Sequence, residues 1–229
     1  MTLSSLNLRE LGGMPLANGL TFAPGRFFRS GDPSRLGSPD ALALAETLGL
    51  RTVIDLRTTQ ERIRHGLAPS FPNCEHLHRP LFQRILPHWL TSADQSPLGT
   101  ATRYVEMLEV GAAPLAGIVL ALADRVPHPS LIHCAAGRDR TGIVVASVLE
   151  LLGASDEAIA DDYARSDDAA NDFGRAHAQT MIHFLRLVRE RYGSTRELLA
   201  PLGVSDDVLA KLSSHWAVAG ADPRPLERP

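Results

Sequence analysis

The sequence predicts an α/β protein, a parallel sheet of four or five strands flanked by helices, and three observations carry that expectation. Thr52-Val53-Ile54 and Leu131-Ile132-His133 are short apolar, β-branched runs that read as buried parallel strands. Longer stretches with apolar residues at helical spacing lie between and after them, bounded by glycine and proline. One of these, 141–152, is apolar on nearly all sides and therefore belongs inside the molecule. At 229 residues, 44% of them hydrophobic and 21% charged, the chain can bury a core without staples.

Taken in order, the first thirty residues are rich in turn formers, and Asn18-Gly19 between apolar residues predicts a hairpin. Arg26-Phe27-Phe28-Arg29 reads as a strand. Ser38-Pro39-Asp40 caps a helix that Gly49 stops. Arg51-Thr52-Val53-Ile54-Asp55-Leu56-Arg57 is a central strand with a polar carboxyl end, where ligands of such sheets gather. Asp55 and Arg57 either reach that site or cap the next helix and pair with Glu61 or Glu46. Cys74-x-His76-x-His78 has the residue types of a metal site but no second ligand pair, and its alternation with Leu77 fits a strand with one exposed face. Two helices are predicted over 98–108 and 114–123. Beyond 141–152, which Gly153 ends, Ser155-Asp156-Glu157 opens another helix. An amphipathic helix follows over 176–192, then helices over 195–201 and 205–216. Residues 1–219 read as one domain, with a disordered tail from 220 to 229.

Composition removes several functions. A net charge of −3 with no dense Lys/Arg block argues against nucleic-acid binding. Cys74 and Cys134 are too few for a disulfide framework and suit a reducing compartment. No apolar stretch is read as reaching the roughly 18 residues of a membrane span, and the N-terminus lacks the pattern of a signal peptide. The expectation is a cytoplasmic protein with no stable membrane insertion, signal-less secretion left open.

The chemistry concentrates in His133-Cys134-Ala135-Ala136-Gly137-Arg138-Asp139-Arg140-Thr141-Gly142, between the second strand and the buried helix. A small-residue loop of this length can curl its backbone N–H groups toward one point, and a helix N-terminus adds partial positive charge there. That field favours the thiolate of a cysteine at its centre, which Cys134 occupies. Arg140 supplies a planar fork for two phosphate oxygens.

The string matches the His-Cys-x5-Arg-Ser/Thr pattern, and on it the chain resembles the protein tyrosine/dual-specificity phosphatase superfamily. Three weaker matches point to a bacterial branch similar to the mycobacterial secreted tyrosine/phosphoinositide phosphatases. They are Asn7-Leu8-Arg9-Glu10-Leu11-Gly12-Gly13 (Leu8 and Glu10 replacing Phe and Asp), the Asp55-Leu56-Arg57 strand end, and Asp162-Tyr163-x-x-Ser166. The N-terminal string reads equally as a hairpin covering the sheet, and the acids of 161–162 as a solvated helix face.

The resemblance implies a cysteine-phosphatase-like fold and hydrolysis of phosphate monoesters through a phosphocysteine, with no metal and no cofactor. Cys134 is then the nucleophile. The backbone amides from Ala135, Ala136, Gly137 and Arg138 through Arg140, with the Arg140 fork, hold the equatorial oxygens. Thr141 assists the second step, and His133 fixes the loop backbone or is merely packed. The superfamily's usual upstream acid is missing, because no Asp lies near Arg103-Tyr104-Val105. Asp139 takes the position of the loop Asp of myotubularin lipid phosphatases and is the first candidate acid, against a salt bridge to Arg138 or Arg140. Asp55 is the second candidate. Arg138 adds charge suited to a second phosphate, or is a solvated surface arginine. Implied partners are a phosphorylated protein or a phosphoinositide. The rivals are inositol-phosphate hydrolysis, sulfur transfer or arsenate reduction, and a non-catalytic phosphate-binding module.

Overall fold

The computed structural model describes residues 6–36, 38–66, 74–91, 93–124, 128–167 and 175–220. Its first strands are β1 (Arg9–Glu10), β2 (Leu20–Phe22) and β3 (Phe27–Ser30), followed by α1 (Ser38–Thr47), β4 (Thr52–Asp55), α2 (Thr59–His65) and β5 (Glu75–His78). Then come α3 (Pro87–Thr91), α4 (Pro97–Asp124), β6 (Ser130–His133), α5 (Asp139–Leu151) and α6 (Asp156–Ala164). The chain closes with α7 (Ala178–Tyr192), α8 (Thr195–Leu199), α9 (Asp206–Trp216) and β7 (Ala217–Ala219). Of the tail expected over 220–229, all but Gly220 lies outside the described residues. Gly220 itself donates its amide to the Gly19 carbonyl at 3.0 Å.

The main sheet has five strands in the order β1-β3-β6-β4-β5, with β3, β6, β4 and β5 parallel and β1 antiparallel at one edge. Alternation sorts its side chains into two cores. Phe28, Val53 and Leu131 face α1, which covers them with Ala41, Leu44 and Ala45. Phe27, Ile54, Ile132 and Leu77 face the larger core built with the helices from α4 onward. Register then sets the site. Ser30, His133, Asp55 and His78 lie in one row across the carboxyl ends of the four parallel strands, so the loops that follow them converge.

The Asn18-Gly19 hairpin forms, with both residues at positive φ and Leu16 donating to Leu20 O at 2.8 Å. β2 also pairs with β7, which ties the hairpin to the C-terminal helix, and Trp216 packs its ring on Phe22 and Phe27. The two helices expected over 98–108 and 114–123 are one helix, α4, with Pro114 inside it. Proline removes one helical hydrogen bond, to the carbonyl of Val110, but Val110 is exposed, so water can serve that carbonyl. The buried stripe Tyr104, Leu108, Gly111, Leu115, Ile118 and Leu122 runs through the interruption without a break. Gly111 lets Leu81 pack close there, since a Cβ would sit 2.8 Å from Leu81 Cγ and 3.0 Å from Leu81 O. By length and composition α4 would also suffice to cross a membrane, contrary to the sequence reading, and half of its most apolar window is buried in this fold.

Two buried ion clusters brace the sheet. Arg9 and Arg29 stand directly opposite one another in the β1–β3 ladder, a like-charge pair that needs an anion between them. Asp162 of α6 supplies it, taking Arg9 Nε at 2.7 Å on one oxygen and Arg29 on the other. Arg9 also donates to Asp162 O at 2.7 Å and Ser166 Oγ at 2.9 Å. The solvated face expected for the two acids therefore holds for exposed Asp161 but not for buried Asp162. Burial works to raise the Asp162 carboxyl, but the charges of Arg29 and Arg9 outweigh it and hold the group below the usual carboxylate range.

Because the folded-state value is the lower one, the stability Asp162 contributes is complete above the unfolded value of about 4 and is lost as pH falls through the folded one. Asp162→Asn should cost about 3–5 kcal/mol at pH 7, since two buried guanidiniums lose their counterion. Urea unfolding at pH 7 and again near pH 3 should show that penalty shrinking in acid. A cost below about 1 kcal/mol at pH 7 would mean that the two arginines are neutralised by other groups.

Candidate active site

The loop after β6 is held by its carbonyls. Ala135 O accepts the Asp32 amide at 3.1 Å, Ala136 O accepts Asn7 Nδ2 at 3.2 Å, and Gly137 O accepts Arg29 Nη2 at 2.8 Å. With these carbonyls tied to the surrounding structure, the amides are left to the inside of the curl, and the Gly137 N–H donates to Cys134 Sγ at 3.3 Å. Gly137 has φ +71°, and a Cβ there would lie 2.5 Å from Ser30 O and from Gly31 N. Only glycine fits that place. Cys134 is 2% exposed, at the floor of the curl.

Asn7 and Arg29 are themselves fixed, Asn7 by the Arg9 guanidinium and Arg29 by Asp162. The N-terminal string is thus more than a cover for the sheet, because its Asn7 and Arg9 hold the outside of the catalytic loop. Of the segment Asp162-Tyr163-x-x-Ser166, Asp162 and Ser166 bind Arg9, and the Tyr163 hydroxyl meets that of Tyr104 at 2.8 Å.

Arg140 stands in the first turn of α5 beside Cys134, and both nitrogens of its fork are bound by Glu61 of α2 at 2.6 Å each. Its guanidinium also lies over the Phe82 ring, 5.6 Å from the centroid. Burial disfavours the charged fork, but the Glu61 bonds and the nearby Cys134 outweigh it, so Arg140 holds its proton more tightly than usual. Glu61 was legible only as an N3 residue. It closes a capping box with Thr58, receiving the Thr58 amide at 2.8 Å, and nothing local in the sequence announces its bond to a residue 79 positions away.

Asp55 does not serve as the second candidate acid. Its carboxylate is bound by Arg57 Nη2 at 2.8 Å, Arg57 Nε at 3.0 Å and the Arg57 amide at 2.9 Å. Burial works to raise it, but those bonds and nearby charges keep it below the usual range, so at neutral pH it has no proton to give. Arg57, fully buried, reaches on to Asp32 at 2.5 Å, while the next helix is capped by Thr58 instead. His133 is fully buried behind the loop, with Nδ1 3.2 Å from Cys134 O and Nε2 3.8 Å from Asp55 Oδ1. Burial lowers its proton affinity, so it is neutral at pH 7. The Thr141 hydroxyl is buried and has no hydrogen-bond partner among the described residues.

A cleft of about 600 Å³ opens over the second half of the loop. Phe82, Ile85, Trp89, Leu90 and Met107 form one wall, and Arg103, Arg138, Asp139, Arg140, Arg175 and His177 also line it. Arg138 is not a solvated surface arginine. It is 9% exposed and pairs with Asp139 at 3.4 Å. Asp139 keeps about a third of its side chain accessible in the cleft and accepts the Tyr104 hydroxyl at 2.6 Å. His76 and His78 lie on the edge strand β5 and Cys74 just before it, and His78 Nε2 is 2.8 Å from Arg57 O. Among the described residues no group of three or more His, Cys, Asp or Glu side chains could hold a metal ion.

A family model described as the tyrosine phosphatase family matches residues 2–218 of the chain. Among curated proteins the chain is similar to the triple specificity protein phosphatase PtpB of Mycobacterium tuberculosis. The two are 49% identical over 55 residues, which are 24% of this chain and 20% of that protein, so the match spans about a fifth of the relative's length. Among solved structures it is similar to TpbA of P. aeruginosa, at 16% identity over 84% of this chain and 96% of that one, with a TM-score of 0.38. It is also similar to the core catalytic domain of the PP-IP phosphatase Siw14 of S. cerevisiae, at 17% identity over 82% and 93% of the two chains, with a TM-score of 0.43.

The anchoring of the loop is open to one substitution. Gly137→Ala should push the loop off Ser30 and Gly31 and turn its amides out of register. Orthovanadate affinity, read by calorimetry, should fall at least about a hundredfold, the scale expected when several charge-assisted donors are misplaced together. Retention of wild-type affinity would show that the curl does not depend on that contact.

Proposed function

The chain belongs to the tyrosine phosphatase family, and from that premise we propose that it hydrolyses phosphate monoesters through a phosphocysteine formed on Cys134. The observation that carries this reading is the Gly137 amide donating to Cys134 Sγ inside a loop whose carbonyls are tied to the outside. Such an array is preorganised for an anion and needs no rearrangement as charge moves from sulfur to phosphate oxygens. In the first step the sulfur attacks phosphorus and the ester oxygen leaves with a proton from Asp139. In the second, water loses a proton to the Asp139 carboxylate, attacks phosphorus and releases the thiolate. Thr141, with its hydroxyl otherwise unoccupied, donates to that departing sulfur. The Arg140 fork, steadied by Glu61, holds equatorial oxygens in both steps.

Cys134→Ser should lower turnover of para-nitrophenyl phosphate, measured with chelator present, by at least about a thousandfold while leaving vanadate binding in place. A wild type that binds vanadate but turns nothing over would favour the rival reading, a phosphate-binding module.

For substrate, phosphotyrosine fits the apolar wall of Phe82, Trp89 and Met107. A finer reading, phosphoinositides bearing more than one phosphate, is favoured by the placing of Arg103, Arg138 and Arg175 around the same cleft. Because Arg138 is tied to Asp139, the discriminating substitution is at Arg175. Arg175→Ala should reduce kcat/KM for bisphosphorylated phosphoinositides roughly tenfold and leave phosphotyrosine nearly unaffected. An equal effect on both would reduce Arg175 to a general electrostatic aid.

A further inference from the structure

Tyr104 of α4 and Tyr163 of α6 are 59 residues apart in the chain and meet hydroxyl to hydroxyl at 2.8 Å, beside the catalytic loop. Both rings are almost completely buried, packed edge to face with centroids 6.1 Å apart, and Phe184 closes on Tyr104 from α7. The Tyr104 hydroxyl points its single proton at Asp139 Oδ1, 2.6 Å away. Its oxygen must therefore accept, and the only proton left for the 2.8 Å contact is that of Tyr163. The chain of donation runs one way, from Tyr163 to Tyr104 to Asp139. Burial, followed by the charge of Asp139, holds the Tyr104 phenol well above its ordinary value, so it stays a donor at any working pH.

We propose that Tyr104, backed by Tyr163, is a positioning residue that fixes the Asp139 carboxyl and confines its transferable proton to Oδ2. Oδ1 is engaged by the Tyr104 hydroxyl, with Arg138 Nη2 beside it at 3.4 Å, and both are donors. A carboxyl facing two donors on one oxygen carries its own proton on the other. Oδ2 has no hydrogen-bond partner among the described residues, and the carboxyl lines the cleft. As Sγ forms its bond to phosphorus and the ester P–O bond breaks, the Oδ2–H bond breaks too. The proton goes to the departing oxygen, the alcohol leaves neutral, and Asp139 remains a carboxylate. In the return step the attacking water gives its proton to Oδ2, oxygen binds phosphorus, and the S–P bond releases the thiolate. The hydrogen-bond donors at Oδ1 are never spent, so the pair acts identically in both directions.

This inference rests on Asp139 as the acid, and the experiment separates the two. The charged and titratable groups that face Asp139 are Tyr104, Tyr163, Arg138 and Arg140, with Arg103, Arg175 and His177 along the same cleft. All but the two tyrosines stay unchanged in the variants used. Tyr104→Phe keeps the ring and removes only the donor. It should lower kcat/KM for alkyl phosphates roughly ten- to a hundredfold, spare activated aryl phosphates, and move the alkaline limb of the pH–rate profile upward, because a carboxylate that loses a donor binds its proton more tightly. Tyr163→Phe should shift the same readings in the same direction by less. Melting temperature and vanadate affinity serve as folding controls. On an Asp139→Asn background, Tyr104→Phe should cost nothing further in leaving-group dependence. If Asp139→Asn loses alkyl and aryl turnover equally, the assignment of the acid falls. If Asp139→Asn is selective while Tyr104→Phe is not, or if the two losses simply add, the acid stands and the positioning role is overturned.

Discussion

A loop that aims its amides at one point must turn its carbonyls the other way, and in a buried site those carbonyls need donors. Leaving one unsatisfied costs about 1–3 kcal/mol, a large share of the stability of a single domain. Here the donors come from outside the loop: Asn7 from the N-terminus, the Asp32 amide from the turn after β3, and Arg29 from β3 itself. Each must be rigid to be useful. Arg29 is fixed by Asp162, Asp162 also fixes Arg9, and Arg9 fixes Asn7, so strand, N-terminal string and α6 form one scaffold around three carbonyls. The close packing of Gly137 on Ser30 and Gly31 belongs to the same requirement.

The two buried ion clusters differ in net charge, and the difference matters to an anion site. Arg9 and Arg29 against Asp162 leave one surplus positive charge, which is applied to the loop through Gly137 O. Asp55 and Asp32 meet Arg57, and Arg62 reaches Asp55 at 3.4 Å, so the second cluster, behind the loop near neutral His133, is balanced. In a low-dielectric interior the surplus positive charge of the first cluster favours negative charge at the loop, where sulfur and phosphate carry it. Arg140 and Glu61 cancel each other, so the fork contributes direction more than net field until phosphate arrives.

The sheet and most helices were legible because hydrophobic periodicity is a local signal. Pro114 misled for a local reason too: proline marks a break wherever the preceding carbonyl is buried, and nothing in the sequence says that Val110 faces water. The catalytic loop was legible because its parts are contiguous, from His133 to Thr141. Its supports were not. Arg9 and Asp162 are separated by 153 residues and Tyr104 and Asp139 by 35, so no spacing rule joins them. Asp161 and Asp162 look alike in a string of letters, yet a helix turns successive side chains by about 100°, and only the second reaches the arginines. Asp139 was the first candidate acid and Asp55 the second, and only the partners of each separate them in physical terms. Asp55 is surrounded by Arg57, whereas Asp139 keeps an oxygen for the cleft.

Placing the proposed acid inside the anion loop changes what the rest of the molecule has to do. An acid on a separate segment must be brought to the leaving group by motion, and its alignment is then bought with binding energy. Asp139 opens the same helix as Arg140, five residues from Cys134, so nucleophile, cradle and acid keep their mutual distances without closure. Asp139 lies one residue from Arg140 and pairs with Arg138, so its carboxyl is held by neighbours on the same loop. What such a site gains is geometric: the donors that hold Asp139 also choose which of its oxygens works. Substrate selection is then left to the cleft residues that do not touch Asp139, such as Phe82, Trp89 and Arg175, and those can vary without disturbing the chemistry below them.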